Sequence, residues 1–212
     1  MTALVAKIGG SLWRSPLLAK WIAALAAYPR ELTIVPGGGP FADAVRAAQG
    51  PMGFSDRAAH EMALLAMEQY ALALCDLSPI LELADTFDEA KAVRSRGNTP
   101  VWRPRSMTLE ADIPASWDVT SDSLAAWYAR EIGATRLLLI KSVDPGSAGQ
   151  PRDLVDPRFS QFAGDLQVFV AGPSDLRMAP QALASGATPG VALPADGALD
   201  LKRRREHNIY HR

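Results

Sequence analysis

The sequence predicts an α/β fold built on a mainly parallel sheet, and three stretches carry that prediction. A short apolar run, Leu4-Val5-Ala6-Lys7-Ile8, breaks off into Gly9-Gly10-Ser11. A second, Leu32-Thr33-Ile34-Val35, breaks off into Pro36-Gly37-Gly38-Gly39-Pro40. An alanine-rich helical pattern follows each, so strand, glycine loop and helix occur twice in succession. Strands alternating with helices pack as a parallel sheet. The third stretch, Arg136-Leu137-Leu138-Leu139-Ile140, is the clearest buried strand and exits at Lys141. Ligands of such sheets bind beyond the carboxyl ends of the strands, where both glycine loops and Lys141 would sit.

The remaining elements follow in order. Pro16 to Tyr28 reads as a helix opened by proline and stopped by Pro29. Phe41 to Ala48 is helical, and Gly50-Pro51-Met52-Gly53 reads as a turn. Ser55 caps a helix running to about Cys75 that is apolar on most faces, which places it deep in the domain or in a subunit interface. Ile80 to Leu83 reads as a short strand, Thr86 to Arg94 as a capped helix and Pro100 to Trp102 as a strand end. With two prolines and mixed polarity, 103–114 reads as loop. Ser116 to Ser123 leads into a helix from Leu124 to Ile132 that Gly133 closes. Residues 145–153 read as a mobile loop, Leu166 to Val170 as a last strong strand, and Pro173 to Ser185 as its helix. The tail from Lys202 to Arg212 is basic and reads as a solvated end.

Composition excludes several classes. A chain of 212 residues suits one domain, and 48% apolar with 21% charged residues is ordinary for a soluble protein. A net charge of -1 gives no global attraction to nucleic acid or membrane. No apolar run approaches the roughly 18 residues of a membrane span, and the N-terminus has no signal-peptide pattern; the expected compartment is the cytoplasm. The single cysteine, Cys75, has no partner for an internal disulfide and reads as a small core residue. Three histidines without a nearby cysteine cluster offer no structural zinc site, so no protein-held metal is expected.

Lysine in a buried strand is costly unless an anion meets it. Lys7 stands just before glycines whose backbone N–H groups can approach a ligand closely, with a helix to follow: together, a phosphate cradle. Phosphoryl transfer asks little else of a protein than two phosphates held in line and their charge neutralised. Gly9, Gly10 and Ser11 can wrap one phosphate and Gly37, Gly38 and Gly39 another, with Lys7 and Lys141 supplying positive charge. Asp122, at a helix start, can hold those ammonium groups, bind the metal that travels with a nucleotide, or simply cap its helix. Lys141 has an ordinary surface lysine as its alternative. There is no P-loop, no Gly-x-Gly-x-x-Gly after a strand and no Gly-x-Ser-x-Gly elbow.

Four segments together, Lys7-Ile8-Gly9-Gly10-Ser11, Val35-Pro36-Gly37-Gly38-Gly39-Pro40, Thr120-Ser121-Asp122-Ser123 and Ile140-Lys141-Ser142-Val143-Asp144, resemble the amino acid kinase superfamily in kind and order. The resemblance implies a three-layer αβα sandwich forming one domain. An acceptor would lie over about 1–115 and magnesium-ATP over about 116–200, with the basic tail beyond. It implies catalytic Lys7 and Lys141 on the phosphates with Asp122 organising them, and Gly9, Gly10, Ser11, Ser121, Ser142 and Asp144 around the nucleotide phosphates. Phe54 to His60, Met62 to Tyr70 and Pro114 to Ala125 are most similar to a short-chain subgroup, the aminomethylfuran-phosphate kinases of methanofuran biosynthesis, which turn a phosphate monoester into a diphosphate. The longer members carry a Gly-Gly-Met…Lys stretch where this chain has only Val155-Asp156-Pro157 and a short helix. A phosphorylated acceptor wants cationic or hydrogen-bonding neighbours near the second glycine loop, for which Arg46, Arg57 and His60 stand in the right part of the chain. Asp43 and Glu61 could take an ammonium, and Trp117 and Asp118 could wall the pocket. A homo-oligomer is expected from the apolar helix. The alternatives are a uridylate, carboxylate or carbamate kinase, or a non-catalytic nucleotide or oxyanion binder on the same fold.

Overall fold

The computed structural model describes residues 3–29, 31–147 and 154–193. The basic tail and most of the loop read at 145–153 lie outside them. Seven strands form one sheet: β1 (Leu4–Ile8), β2 (Leu32–Pro36), β3 (Leu81–Ala84), β4 (Thr99–Trp102), β5 (Arg136–Ile140), β6 (Gln167–Ala171) and β7 (Val191–Leu193). Their order is β3-β4-β2-β1-β5-β6-β7. All pairings are parallel except β6 with β7. The chain builds outward from β1 on one side, then returns to place β5 on the other. The carboxyl ends of β1 and β5 thus form the switch point at which ligands of open α/β sheets bind.

Helices cover both faces, giving the three layers. On one face Leu4, Ala6 and Ile8 pack with α1 (Leu18–Ala26) and α8 (Ala179–Ala184). On the other, Val5, Leu137 and Leu139 pack with α6 (Ser121–Glu131) and α7 (Phe159–Ala163). This two-residue alternation puts Lys7, in register with Val35 and Leu139, on the α6 face. The long α3 (Asp56–Asp76) contributes to both clusters, with Leu64 and Met67 to one and Tyr70 and Leu74 to the other. Its Ser55 cap accepts from the Ala58 N–H at 3.3 Å. Its outer side leaves Met62, Leu65 and Leu72 exposed, while Cys75 is half-buried against the core, where burial and then Glu82 push its thiol up to about 11.

Four local expectations need correction, the first being the helix read from Pro173 to Ser185, which is a 3-10 turn over Pro173–Arg177 followed by the short α8. Instead of one helix from Pro16 to Tyr28, a 3-10 turn over Gly10–Arg14 precedes the shorter α1. The turn read at 50–53 is the end of α2 (Gly39–Met52): Pro51 stands in its last turn, and Gly53, left-handed at φ 72°, stops it. The loop read at 103–114 contains α5 (Arg105–Glu110), held to α3 by Arg105 paired with Glu61 and by the Arg105 N–H donating to Glu68. The helix α4 (Phe87–Ser95) is capped as expected, Thr86 accepting from the Glu89 N–H.

Candidate active site

Glycine lets three backbones meet at the carboxyl ends of the central strands. The Gly9 N–H donates to the Ile140 carbonyl and the Gly37 N–H to the Ile8 carbonyl, both at 2.9 Å. A Cβ on Gly37 would stand 2.3 Å from the Gly10 nitrogen, and one on Gly10 would stand 2.5 Å from the Gly39 nitrogen. Side chains are excluded there because backbone opposes backbone. Ser11 and Ser142 join the exits of β1 and β5 through their hydroxyls at 2.8 Å.

Beneath those loops lie three charges. Asp122 is only 5% exposed. Its Oδ2 accepts from Lys141 Nζ at 2.6 Å, and its Oδ1 meets Lys7 Nζ at 2.9 Å as an ion pair without hydrogen-bond alignment. Burial works to raise the Asp122 carboxyl, but the Lys141 and Lys7 ammonium groups outweigh it and bring the group down to about 2. Burial also lowers Lys141, which Asp122 opposes and Lys7 reinforces. Asp122 is not the helix cap: Thr120 occupies that position, and its side chain accepts from the Asp122 N–H at 3.5 Å. Two cations to one anion leave the buried site with a positive charge to spare, which suits a polyanion.

A cavity of about 230 Å³ opens beside this cluster, bounded by Gly10, Ser11, Gly38 and Gly39 on one side and Thr120 and Ser121 on the other. Of the residues expected at the acceptor, Gly38, Gly39, Arg46, His60 and Trp117 line it, as does Asp43. Gly37 is buried under the loop, Arg57 and Asp118 are exposed and outside the lining, and Glu61 is taken by Arg105. Asp144 faces the loop after β6, accepting from the Ser174 N–H at 2.9 Å and its hydroxyl at 2.7 Å.

The cavity wall is a relay of contacts. Arg46 lies 4.3 Å over the Trp117 ring, the Trp117 indole N–H donates to Gln49 at 2.6 Å, and the Gln49 amide donates to Asp56 at 2.8 Å. Leu64, Met67 and Leu124 give the floor an apolar surface. Burial lowers the His60 imidazole. Asp56 entered the sequence reading only within Phe54 to His60, with no role of its own, and Gln49 escaped it. So did Asp156, a buried carboxylate that caps α6 from the far side of the chain: it accepts from the N–H groups of Thr120 and Ser123 at 2.9 and 3.0 Å, and from both hydroxyls.

The model of the Amino acid kinase family matches residues 2–145 of this chain. The chain belongs to the amino acid kinase family. Its mostly parallel sheet is that family's fold. A relative from Methanocaldococcus jannaschii, [5-(aminomethyl)furan-3-yl]methyl phosphate kinase, is 29% identical over 147 residues, 66% of each chain and so just under two thirds of that relative. Among solved structures, uridylate kinase from Archaeoglobus fulgidus superposes with a TM-score of 0.67 at 18% identity, over 91% of this chain and 99% of that one. An isopentenyl phosphate kinase superposes with a TM-score of 0.54 at 17% identity, over 90% and 99%. At those identities the structural likeness speaks for the fold alone.

Proposed function

We propose that this kinase transfers the γ-phosphoryl group of ATP to a small phosphate monoester related to aminomethylfuranylmethyl phosphate, giving a diphosphate, as a step of one-carbon cofactor biosynthesis in the cytoplasm. The observation that carries the reading is the buried Lys7–Asp122–Lys141 cluster beneath two facing glycine loops and beside a cavity of small-molecule size. An oxygen of the acceptor phosphate attacks the γ-phosphorus. The bond to the β–γ bridging oxygen breaks, and ADP leaves with that electron pair. The attacking oxygen already carries its charge, so no general base is needed. That agrees with an Asp122 held down to about 2, too weak a base to serve as one.

Lys7 and Lys141 would neutralise charge on the transferring group, which is where most of the rate enhancement in such catalysis arises. Gly10, Ser11, Ser121 and Ser142 would meet the nucleotide phosphates, and Gly38, Gly39 and Arg46 the acceptor phosphate; Gly9, expected among the first group, is buried with its N–H given to the Ile140 carbonyl. Trp117 offers a planar acceptor ring a face, and Asp43 offers an amine a counter-charge. Both Asp122 oxygens are engaged by lysines, and among the described residues no group of three or more His, Cys, Asp or Glu gathers to hold a metal. Magnesium would travel on the nucleotide phosphates. Among the described residues no helix is long and apolar enough to cross a membrane. The exposed Met62, Leu65 and Leu72 of α3 support pairing of two copies in solution.

The test is ADP release from magnesium-ATP against a panel of acceptors: phosphate monoesters with and without an amine, UMP, and carboxylates. Turnover confined to an amine-bearing phosphomonoester is expected. Turnover on UMP or a carboxylate alone would replace the acceptor, and nucleotide binding without turnover would make the chain a binder.

A further inference from the structure

We propose that Asp156 is a positioning residue for phosphoryl transfer, clamping the first turn of α6 so that Asp122 stays seated between Lys7 and Lys141. This rests on the kinase reading of the site. Asp156 is buried and precedes α7, more than thirty residues beyond its partners in sequence. One oxygen, Oδ2, gathers the Thr120 N–H, the Thr120 hydroxyl and the Ser123 N–H, while Oδ1 takes the Ser123 hydroxyl. These groups flank Asp122 on both sides. A helix N-terminus presents backbone donors and partial positive charge, and here a protein carboxylate takes two of the donors, those of Thr120 and Ser123.

The clamp has two consequences. It fixes the backbone from which the Asp122 side chain reaches the two ammonium groups. It also fixes Thr120 and Ser121, which form one wall of the cavity, so both the acceptor side and the charge cluster take their position from Asp156. The charged groups acting on Lys141 are Asp122 from α6, Lys7 from β1 and Asp156 itself. Of the three, Asp156 acts on Lys141 most weakly, from outside the cluster in which two lysines share one carboxylate.

Two variants separate positioning from mere support. Asp156→Ala removes both the clamp and the charge. Asp156→Asn keeps an oxygen for the backbone donors and loses the charge. For Asp156→Ala, kcat per folded molecule is expected to fall roughly 100-fold, the cost of a small misplacement at a reacting centre, with a much smaller rise in the acceptor KM. Asp156→Asn should recover most of that loss. In both, the alkaline limb of the kcat–pH profile should move slightly to lower pH, because Lys141 loses the weak pull of the Asp156 charge and gives up its proton more readily. A wild-type kcat for folded Asp156→Ala, or unmoved alkaline limbs, would overturn the proposal. If Asp156→Ala does not fold, the limb of Asp156→Asn decides. If the wild-type chain turns over no acceptor, the kinase reading fails by itself. Asp156 is then judged by NMR titration of the Lys141 side chain in wild type and Asp156→Asn, where identical titrations would refute it.

Discussion

Replacing Asp122 by asparagine isolates the electrostatics on which the site depends. The side chain keeps its shape and loses its charge, leaving two buried ammonium groups facing one another across a neutral amide. At an effective dielectric near 20, like charges a few ångströms apart repel by about 3–4 kcal/mol. Removing one partner of a buried ion pair costs about 3–5 kcal/mol in general. The wild-type carboxyl gives a consistent figure from another direction. Its descent from 3.8 to about 2 corresponds to roughly 2–3 kcal/mol of stability at neutral pH. Because the folded-state value is depressed, that contribution is present above the ordinary carboxylate range and is lost as pH falls from there towards 2. For a chain of this length, Asp122→Asn should therefore melt about 10 °C below wild type at neutral pH. The deficit should narrow in alkaline buffer, as Lys141, already lowered by burial, loses its proton. Thermal denaturation followed by circular dichroism at neutral and alkaline pH measures both, with ADP release measured alongside and expected to be nearly lost. A melting temperature equal to wild type at every pH would refute the charge argument, and full turnover would remove Asp122 from the mechanism.

Lys7→Ala leaves Asp122 and Lys141 as a balanced pair, so its melting temperature should stay near wild type while turnover falls about 10²–10³-fold in the ADP-release assay. Gly37→Ala drives a methyl group to 2.3 Å from the Gly10 nitrogen. Spreading the two glycine loops should cost about 1–3 kcal/mol in denaturant unfolding and most of the turnover. Trp117→Phe keeps a ring under Arg46 but deletes the hydrogen bond to Gln49, worth about 1 kcal/mol. Its acceptor KM should rise several-fold in steady-state kinetics with the ATP KM unmoved.

What the sequence reveals here is what is local. The strands β1, β2 and β5 are buried on both faces, so they read as plain apolar runs, and the lysine inside β1 stands out because burial makes it costly. The glycine loops are visible because backbone packed on backbone admits no other residue. Convergence of Lys7, Asp122 and Lys141 follows once β1 and β5 are neighbours and α6 lies on the face to which Lys7 points. Less visible is whatever depends on partners far along the chain. The helix α5 follows Pro104 and carries mixed polarity, so only its contacts with Glu61 and Glu68 of α3 reveal it. Gly50-Pro51 looks like a turn, although proline is tolerated in the last turn of α2. A three-residue edge strand such as β7 gives no periodicity to read. Asp156 looks like an ordinary Asp-Pro step until the fold brings it onto Thr120 and Ser123.

The most direct measurement is phosphorus NMR of the wild-type chain with magnesium-ATP and aminomethylfuranylmethyl phosphate. The γ-phosphate resonance should give way to ADP and to a new pair of coupled diphosphate resonances, with Lys7→Ala leaving both substrates unchanged over the same period. Intact ATP, release of inorganic phosphate alone, or diphosphate formed by Lys7→Ala at the wild-type rate would contradict phosphoryl transfer at this site.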